Sequence, residues 1–239
     1  MDIIQSFYYC SHVKRQREIE HALNNNLNRD FIKAIHLFIN NSDYELFIKS
    51  EFVSHRNYNK IILLKFEGQP KYPYLFQYGS NLENKLCCIC NSDIEFIVEK
   101  HDMSILEQLY NTKTIYFLTR HEADMRCPLI DNFGGSHDAF IFHSNTLREN
   151  IDNKDTTCID YIQNTTGIEA LLTLFFIENL EYKILNPCFQ IKLVHHHSSQ
   201  IRPWSKTSSG RRIVGYTHPT PLRVNWGVYN KYMIYPCKL

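Results

Sequence analysis

The chain has 239 residues, 44% of them hydrophobic and 21% charged, which is enough to build a globular domain with a sizeable core. A formal net charge of +1 is not the basic excess of a dedicated nucleic-acid binder, so no specific nucleic-acid partner is expected. Met1-Asp2-Ile3-Ile4-Gln5-Ser6 lacks the basic start and apolar run of a signal peptide, and no apolar run approaches the roughly 20 residues of a membrane span, so a cytoplasmic location is expected.

Residues 2–9 are an apolar run suited to an opening strand. Lys14 to Asn26 follow as a helix, with Ile19, Ala22, Leu23 and Leu27 on one face and Lys14, Arg15, Arg17 and Glu18 elsewhere. Ala34 to Ile39 predict a second strand, closed by a turn at Asn40-Asn41-Ser42-Asp43. Ile61 to Phe66 predict a third strand and Lys85 to Cys90 a fourth. Within the fourth, Cys87, Cys88 and Cys90 read as packed, reduced thiols, because the eight cysteines include no second closely spaced pair. Continuous apolar strands of this kind are covered on both faces, which places the chain in the α/β class with a mostly parallel sheet flanked by helices.

The second half is less regular. Thr114 to Leu118 and Ala139 to Phe142 predict strands flanking a turn at Gly134-Gly135. Ile168 to Asn179 is the strongest helical pattern, with Ile168, Leu171, Leu172, Phe175 and Phe176 on one stripe. Phe189 to Val194 alternates as a strand and leads into His195-His196-His197. Ser198 to Gly215 is rich in Ser, Arg, Lys and Gly and reads as a loop.

Five places carry residue types that do chemistry. Asn91-Ser92-Asp93 closes a buried strand at the carboxyl edge of the sheet, where open α/β sheets bind ligands, and a carboxylate there can hold a divalent cation against a diphosphate. The same three residues also favour an ordinary turn. Strand alternation puts His195 and His197 on one face and His196 on the other, so the outer pair can ligate a metal or bond phosphate. Asp138, after Gly135-Ser136-His137, sits where it can meet a sugar hydroxyl or cap a turn. Glu169 occupies a first helical turn, where the helix dipole favours a carboxylate and a general base can act. On local grounds ordinary helix-start chemistry without catalysis accounts for Glu169 better. Arg202, Lys206, Arg211 and Arg212 can close over a diphosphate or simply solvate a loop.

Several short motifs also follow one another in a definite order. Arg15-Gln16-Arg17-Glu18-Ile19 comes first, then Gln69-Pro70-Lys71-Tyr72, Asn91-Ser92-Asp93-Ile94 and Leu118-Thr119-Arg120. Gly135 to Phe142, Gly167-Ile168-Glu169 and Asn186-Pro187 follow, and then His195, His197, Ser199 and Arg202. In this order they resemble the small GT-A-type (family 2-like) glycosyltransferase domains found in large DNA viruses and microbial polysaccharide loci.

The resemblance covers residues 1–203 as a catalytic domain and leaves 204–239 as a C-terminal loop and tail on or near the active site. It implies a nucleotide-diphospho-sugar transferase fold and inverting transfer from a nucleotide-diphosphate sugar to a hydroxyl on a glycan, protein or small molecule. It also implies a virus-encoded protein in host cytoplasm or a microbial one. By the same resemblance Asp93 with His195 or His197 holds manganese or magnesium. Asn91, Ser92, Asp93, Arg120 and Arg202 meet the nucleotide diphosphate, Glu169 is the base, and Asp138 is a donor or acceptor contact. The chain departs from the pattern at Gln69 in place of Arg, His121 in place of an aromatic and Ala170 in place of Asn, and it has one carboxylate where Asp-x-Asp is usual. Two other classes stay open, a metal-dependent phosphoester hydrolase and a non-catalytic nucleotide- or sugar-binding module. The hydrolase is disfavoured by the lack of clustered carboxylates for two metals.

Overall fold

The computed structural model describes residues 1–123, 128–129, 137–163, 165, 167–199, 201, 234, 237 and 239, and the backbone of 205–206 and 212–213. In chain order the elements are β1 (Asp2–Ser6), α1 (Val13–Leu27), β2 (Ala34–Ile39), α2 (Asn41–Phe47), β3 (Ile61–Lys65), α3 (Tyr72–Ser80) and β4 (Leu86–Cys90). They continue with β5 (Ile94–Val98), α4 (Ser104–Glu107), β6 (Thr114–Leu118), β7 (Arg120–Glu122), β8 (Ala139–His143), α5 (Ser144–Ile151) and α6 (Ile168–Leu174). Then come β9 (Lys183–Leu185), β10 (Ile191–His195) and the short pair β11 (Ser205–Lys206) and β12 (Arg212–Ile213).

Among the described residues the main sheet has seven strands in the order β3-β2-β1-β4-β8-β6-β9. β3, β2, β1 and β4 run parallel, β6 and β9 run parallel, and β8 is antiparallel to both its neighbours. The class expected from the sequence, a mostly parallel sheet flanked by helices, is the one observed. Successive strand residues feed opposite cores, which is why the strands read as unbroken apolar runs. Ile3, Cys88 and Cys90 join the core that includes Ile19 and Leu23 of α1, whereas Ile4, Cys87 and Ile89 join the one that includes Leu75, Phe76, Leu147 and Phe176. The three cysteines are buried free thiols. On α3, Gly79 has no room for a side chain, since a Cβ would meet Phe142 at 2.7 Å and Ile4 at 2.8 Å.

Several local expectations change. The polar run at Asn40 starts a helix instead of a turn: the Asn40 side chain accepts from the Asp43 backbone N–H at 2.8 Å and caps α2. The helix from Ile168 is α-helical to Leu174 and continues as a π-helical turn over Phe175–Asn179. β6 and β8 are adjacent and antiparallel, but β7 lies between them in sequence, and Gly134-Gly135 falls outside the described residues. Phe189 and Gln190 precede β10 and do not belong to it. Among the described residues no helix is long and apolar enough to cross a membrane.

Candidate functional site

The sheet brings distant polar residues to one edge. β8 runs against β4 and β6 with Ala139 opposite both Cys90 and Leu118, so the residue entering β8, Asp138, meets those leaving β4 and β6. Asn91 donates to Asp138 Oδ1 at 3.2 Å, and Arg120 donates to Asp138 Oδ2 at 3.0 Å. Buried Asn186 steadies the end of β6, accepting from the Thr119 backbone N–H at 3.2 Å and donating to its hydroxyl at 2.9 Å. At the ends of β1 and β4, Gln163 donates to the Cys90 carbonyl at 3.1 Å and accepts from the Ser6 hydroxyl at 3.2 Å.

A second, three-stranded sheet, β5-β10-β7, supplies the histidines. β10 pairs antiparallel with β5 and parallel with β7, setting His195 against Ile94 on one side and Glu122 on the other. The His196 backbone N–H donates to the Asp93 carbonyl at 2.9 Å. Alternation then puts His195 and His197 on one face, as the sequence pattern predicts, and that face is turned toward Asp93. His195 Nε2 lies 3.0 Å and His197 Nδ1 3.2 Å from Asp93 Oδ2, and all three side chains are buried.

Asp93 Oδ2 also accepts from Arg15 Nη2 at 2.7 Å. Burial alone would raise the Asp93 pKa, but the bonds from His195 and His197 and the charges of His195 and Arg15 hold it well below the usual carboxylate range. His195 shows the complementary effect. Burial works against its charge, yet Asp93 on one side and Glu122 on the other push its pKa up to about 9. Glu122 Oε2 lies 3.6 Å from His195 Nδ1, and its other oxygen accepts from Arg120 Nε at 2.9 Å. A chain of opposite charges thus runs from Asp93 through His195, Glu122 and Arg120 to Asp138.

Asp93, His195 and His197 offer ligand atoms that all lie within 4.8 Å of one another. The carboxylate oxygen stands 3.0 and 3.2 Å from the two imidazole nitrogens, the spacing of neighbouring ligands of one ion whose bonds are about 2.1 Å. The residues therefore fit a divalent cation, provided His195 gives up its proton on binding.

Glu169 is half-buried in the first turn of α6, behind Gly167 in the left-handed conformation (φ 88°). Burial pushes its pKa up to about 7; a backbone hydrogen bond within the residue opposes this, the charge of Asp138 adds to it, and Arg120 offsets part. Glu169 is thereby coupled to the Asp138–Arg120 end of the charge chain. Tyr72 is buried within reach of the same carboxylates' charges, and burial raises its pKa further than those charges do.

Ser92 is buried beside Asp93. Arg202 and Arg211 lie outside the described residues, and only the backbone of Lys206 and Arg212 is described. Sequence reasoning assigned no role to Arg15, Glu18 or Glu122. Glu18 accepts from the Ser198 hydroxyl at 3.0 Å and from Ser199 through its backbone N–H at 2.6 Å and its hydroxyl at 2.7 Å. With Arg15 donating to the His196 carbonyl at 3.1 Å, α1 clamps the chain leaving β10. The signal available in sequence was the Arg15-x-x-Glu18 spacing, which puts both side chains on the same face of α1 as the apolar Ile19, Ala22 and Leu23.

No protein-family model matches the sequence, and no curated protein matches it. Solved structures do. Residues 1–349 of S. aureus TarS superpose with a TM-score of 0.54 at 13% identity, over 81% of this chain and 59% of that one. The same protein in complex with UDP-GlcNAc gives 0.53 at 14% identity, over 84% and 62%. The mannosyltransferase PcManGT from Pyrobaculum calidifontis, in complex with GDP-Man and Mn2+, gives 0.50 at 9% identity, over 82% and 56%. The chain spans about three fifths of the length of these structures. At such identities the likeness establishes the fold, which is GT-A-like, as the motif order implied.

Proposed function

We propose that the chain is a metal-dependent glycosyltransferase that moves a sugar from a nucleotide-diphosphate sugar to a hydroxyl acceptor with inversion. The observation that carries this reading is the pairing, at one edge of a GT-A-like sheet, of an ionised Asp93 held among two histidines with a Glu169 whose pKa is pushed up to about 7. Asp93, His195 and His197 would hold manganese or magnesium, which when bound offsets the charge of the departing diphosphate.

The remaining chemistry belongs to the chain. Glu169 takes the proton of the acceptor hydroxyl as its oxygen bonds to the anomeric carbon and the bond from that carbon to the diphosphate breaks. A base with pKa near the working pH is ionised in useful amount and still strong enough to accept the proton. Asp138, fixed on both oxygens by Asn91 and Arg120, orients a sugar hydroxyl. Asn91, Ser92, Arg120 and, beyond the described residues, Arg202 complete the diphosphate contacts. TarS in complex with UDP-GlcNAc and PcManGT with GDP-Man and Mn2+ support a nucleotide-sugar donor and a divalent ion.

The test is a thermal-stability screen of nucleoside diphosphates and nucleotide sugars with and without manganese, followed by transfer assays on the ligand that binds. The expected result is a metal-dependent shift for one nucleotide that Asp93→Ala removes. A ligand present at a hundredfold its dissociation constant adds about 2.7 kcal/mol. Donor binding with no transfer to any acceptor would make the chain a binding module. Release of nucleotide without an acceptor would make it a hydrolase.

A further inference from the structure

The middle histidine of the triplet, His196, faces away from Asp93, toward α1. Its Nε2 lies 2.9 Å from Glu95 Oε2 on β5. From α1, one turn apart on the same face, come His21 and Asn25. The Asn25 amide lies 2.8 Å from Glu95 Oε2 and 3.0 Å from His21 Nε2. The His21 and His196 rings meet edge to face with centroids 4.8 Å apart. The ligand atoms of His21, Glu95 and His196 all lie within 4.8 Å of one another, a second group of two imidazoles and one carboxylate.

We infer that His21, Glu95 and His196 form a second cation site, distinct from the Asp93 group and suited to zinc or a similar transition metal. The donor chemistry matches such ions: two imidazoles and one carboxylate oxygen make a three-ligand set with a fourth position free for water. The supporting shell is in place, because Arg29 holds the other oxygen of Glu95 at 2.6 Å and so fixes which oxygen faces the histidines. Turning the Asn25 amide over would aim its oxygen at the same point, an orientation that a cation favours over the facing carboxylate. The His21 side of the group opens to solvent. His21 is exposed and lines a cavity of about 440 Å³ with Arg17, Glu20, Asn24, Phe52 and His55. A cation here bridges α1 to β5 and β10 directly behind the histidines that face Asp93.

The experiment uses the full chain, stripped with a chelator and titrated with zinc alone. Bound metal is counted by elemental analysis, and cobalt absorption reports the geometry. Wild type is expected to bind one equivalent of zinc more than His21→Ala, with the tetrahedral cobalt absorption of that one site missing from the variant. His21 is exposed, so its replacement leaves the fold intact, and circular dichroism verifies this. Asp93→Asn separates the two sites: it is expected to keep the equivalent that His21→Ala loses, whatever becomes of the donor site. Glu95→Gln should weaken zinc binding by more than about tenfold. Equal stoichiometry and affinity in wild type and His21→Ala, or loss of all zinc in Asp93→Asn alone, would overturn the assignment.

Discussion

Two carboxylates at the same edge of the sheet sit in opposite surroundings. Asp93 is enclosed by Arg15, His195 and His197, which outweigh its burial and keep it ionised. Glu169 is only half-buried, but burial together with the nearby charge of Asp138 raises its pKa to about 7, and Arg120 offsets this only in part. Residues of one chemical class are thus divided by their neighbours: one end of the site is built to hold positive charge and the other to exchange a proton. The link between them, His195–Glu122–Arg120–Asp138, is itself made of alternating charges.

The hardest blow to this contrast is Asp93→Ala. It strips the buried Arg15 and His195 of their shared counter-charge, so the fold is expected to lose about 3–5 kcal/mol in chemical denaturation. Metal-dependent donor binding should disappear with it; an unchanged denaturation midpoint would show that Asp93 does not anchor the cluster. Glu169→Gln attacks the other end. Transfer should fall about 10²–10⁴-fold while donor affinity stays as in wild type, which single-turnover and binding measurements together read out.

Glu122→Gln tests the link. Removing the charge behind His195 should weaken manganese binding by about 10- to 100-fold in calorimetric titration, with a smaller loss of metal-free stability because His195 and Arg120 lose a counter-charge. The mildest probe is pH. Transfer should rise as the medium passes through about 7 and Glu169 loses its proton, and Glu169→Gln should lack that limb. Stability has the opposite slope. The folded state keeps this proton up to about 7, whereas an unfolded glutamate releases it near ~4.3, so stability falls as pH rises between those values. The fall should be absent in Glu169→Gln.

The strands feeding the site were legible from two patterns: β4 is apolar on both faces and hands over at Cys90 to Asn91, whereas β10 alternates around the exposed Lys192 and ends at His195. Alternation also placed His195 and His197 together correctly. α3 was missed because Tyr72 to Ser80 is rich in aromatics that favour strands locally, and packing of Leu75 and Phe76 into the core decides otherwise. β7 has three residues, too few for any periodicity, so Glu122 went unseen although it backs His195. Arg15 and Glu18 sit on a helix face that looks solvated until β10 is laid across it; their partners are distant in sequence, 78 residues away at Asp93 and 181 away at His196 and Ser199.

The triplet of histidines gives β10 a counting problem. Each side chain faces opposite its neighbour, so a slip of one residue against β5 would bring His196 round to Asp93 and leave Ser198 where His197 stands. Asp93 would keep one imidazole and Glu95 would receive two. A single insertion or deletion between Pro187 and His195 therefore acts as a rewiring of which group faces which, with no change in the residues themselves. The tight turn in which Gln190 and Ile191 both donate to the Pro187 carbonyl, at 3.0 and 2.9 Å, is what keeps that count.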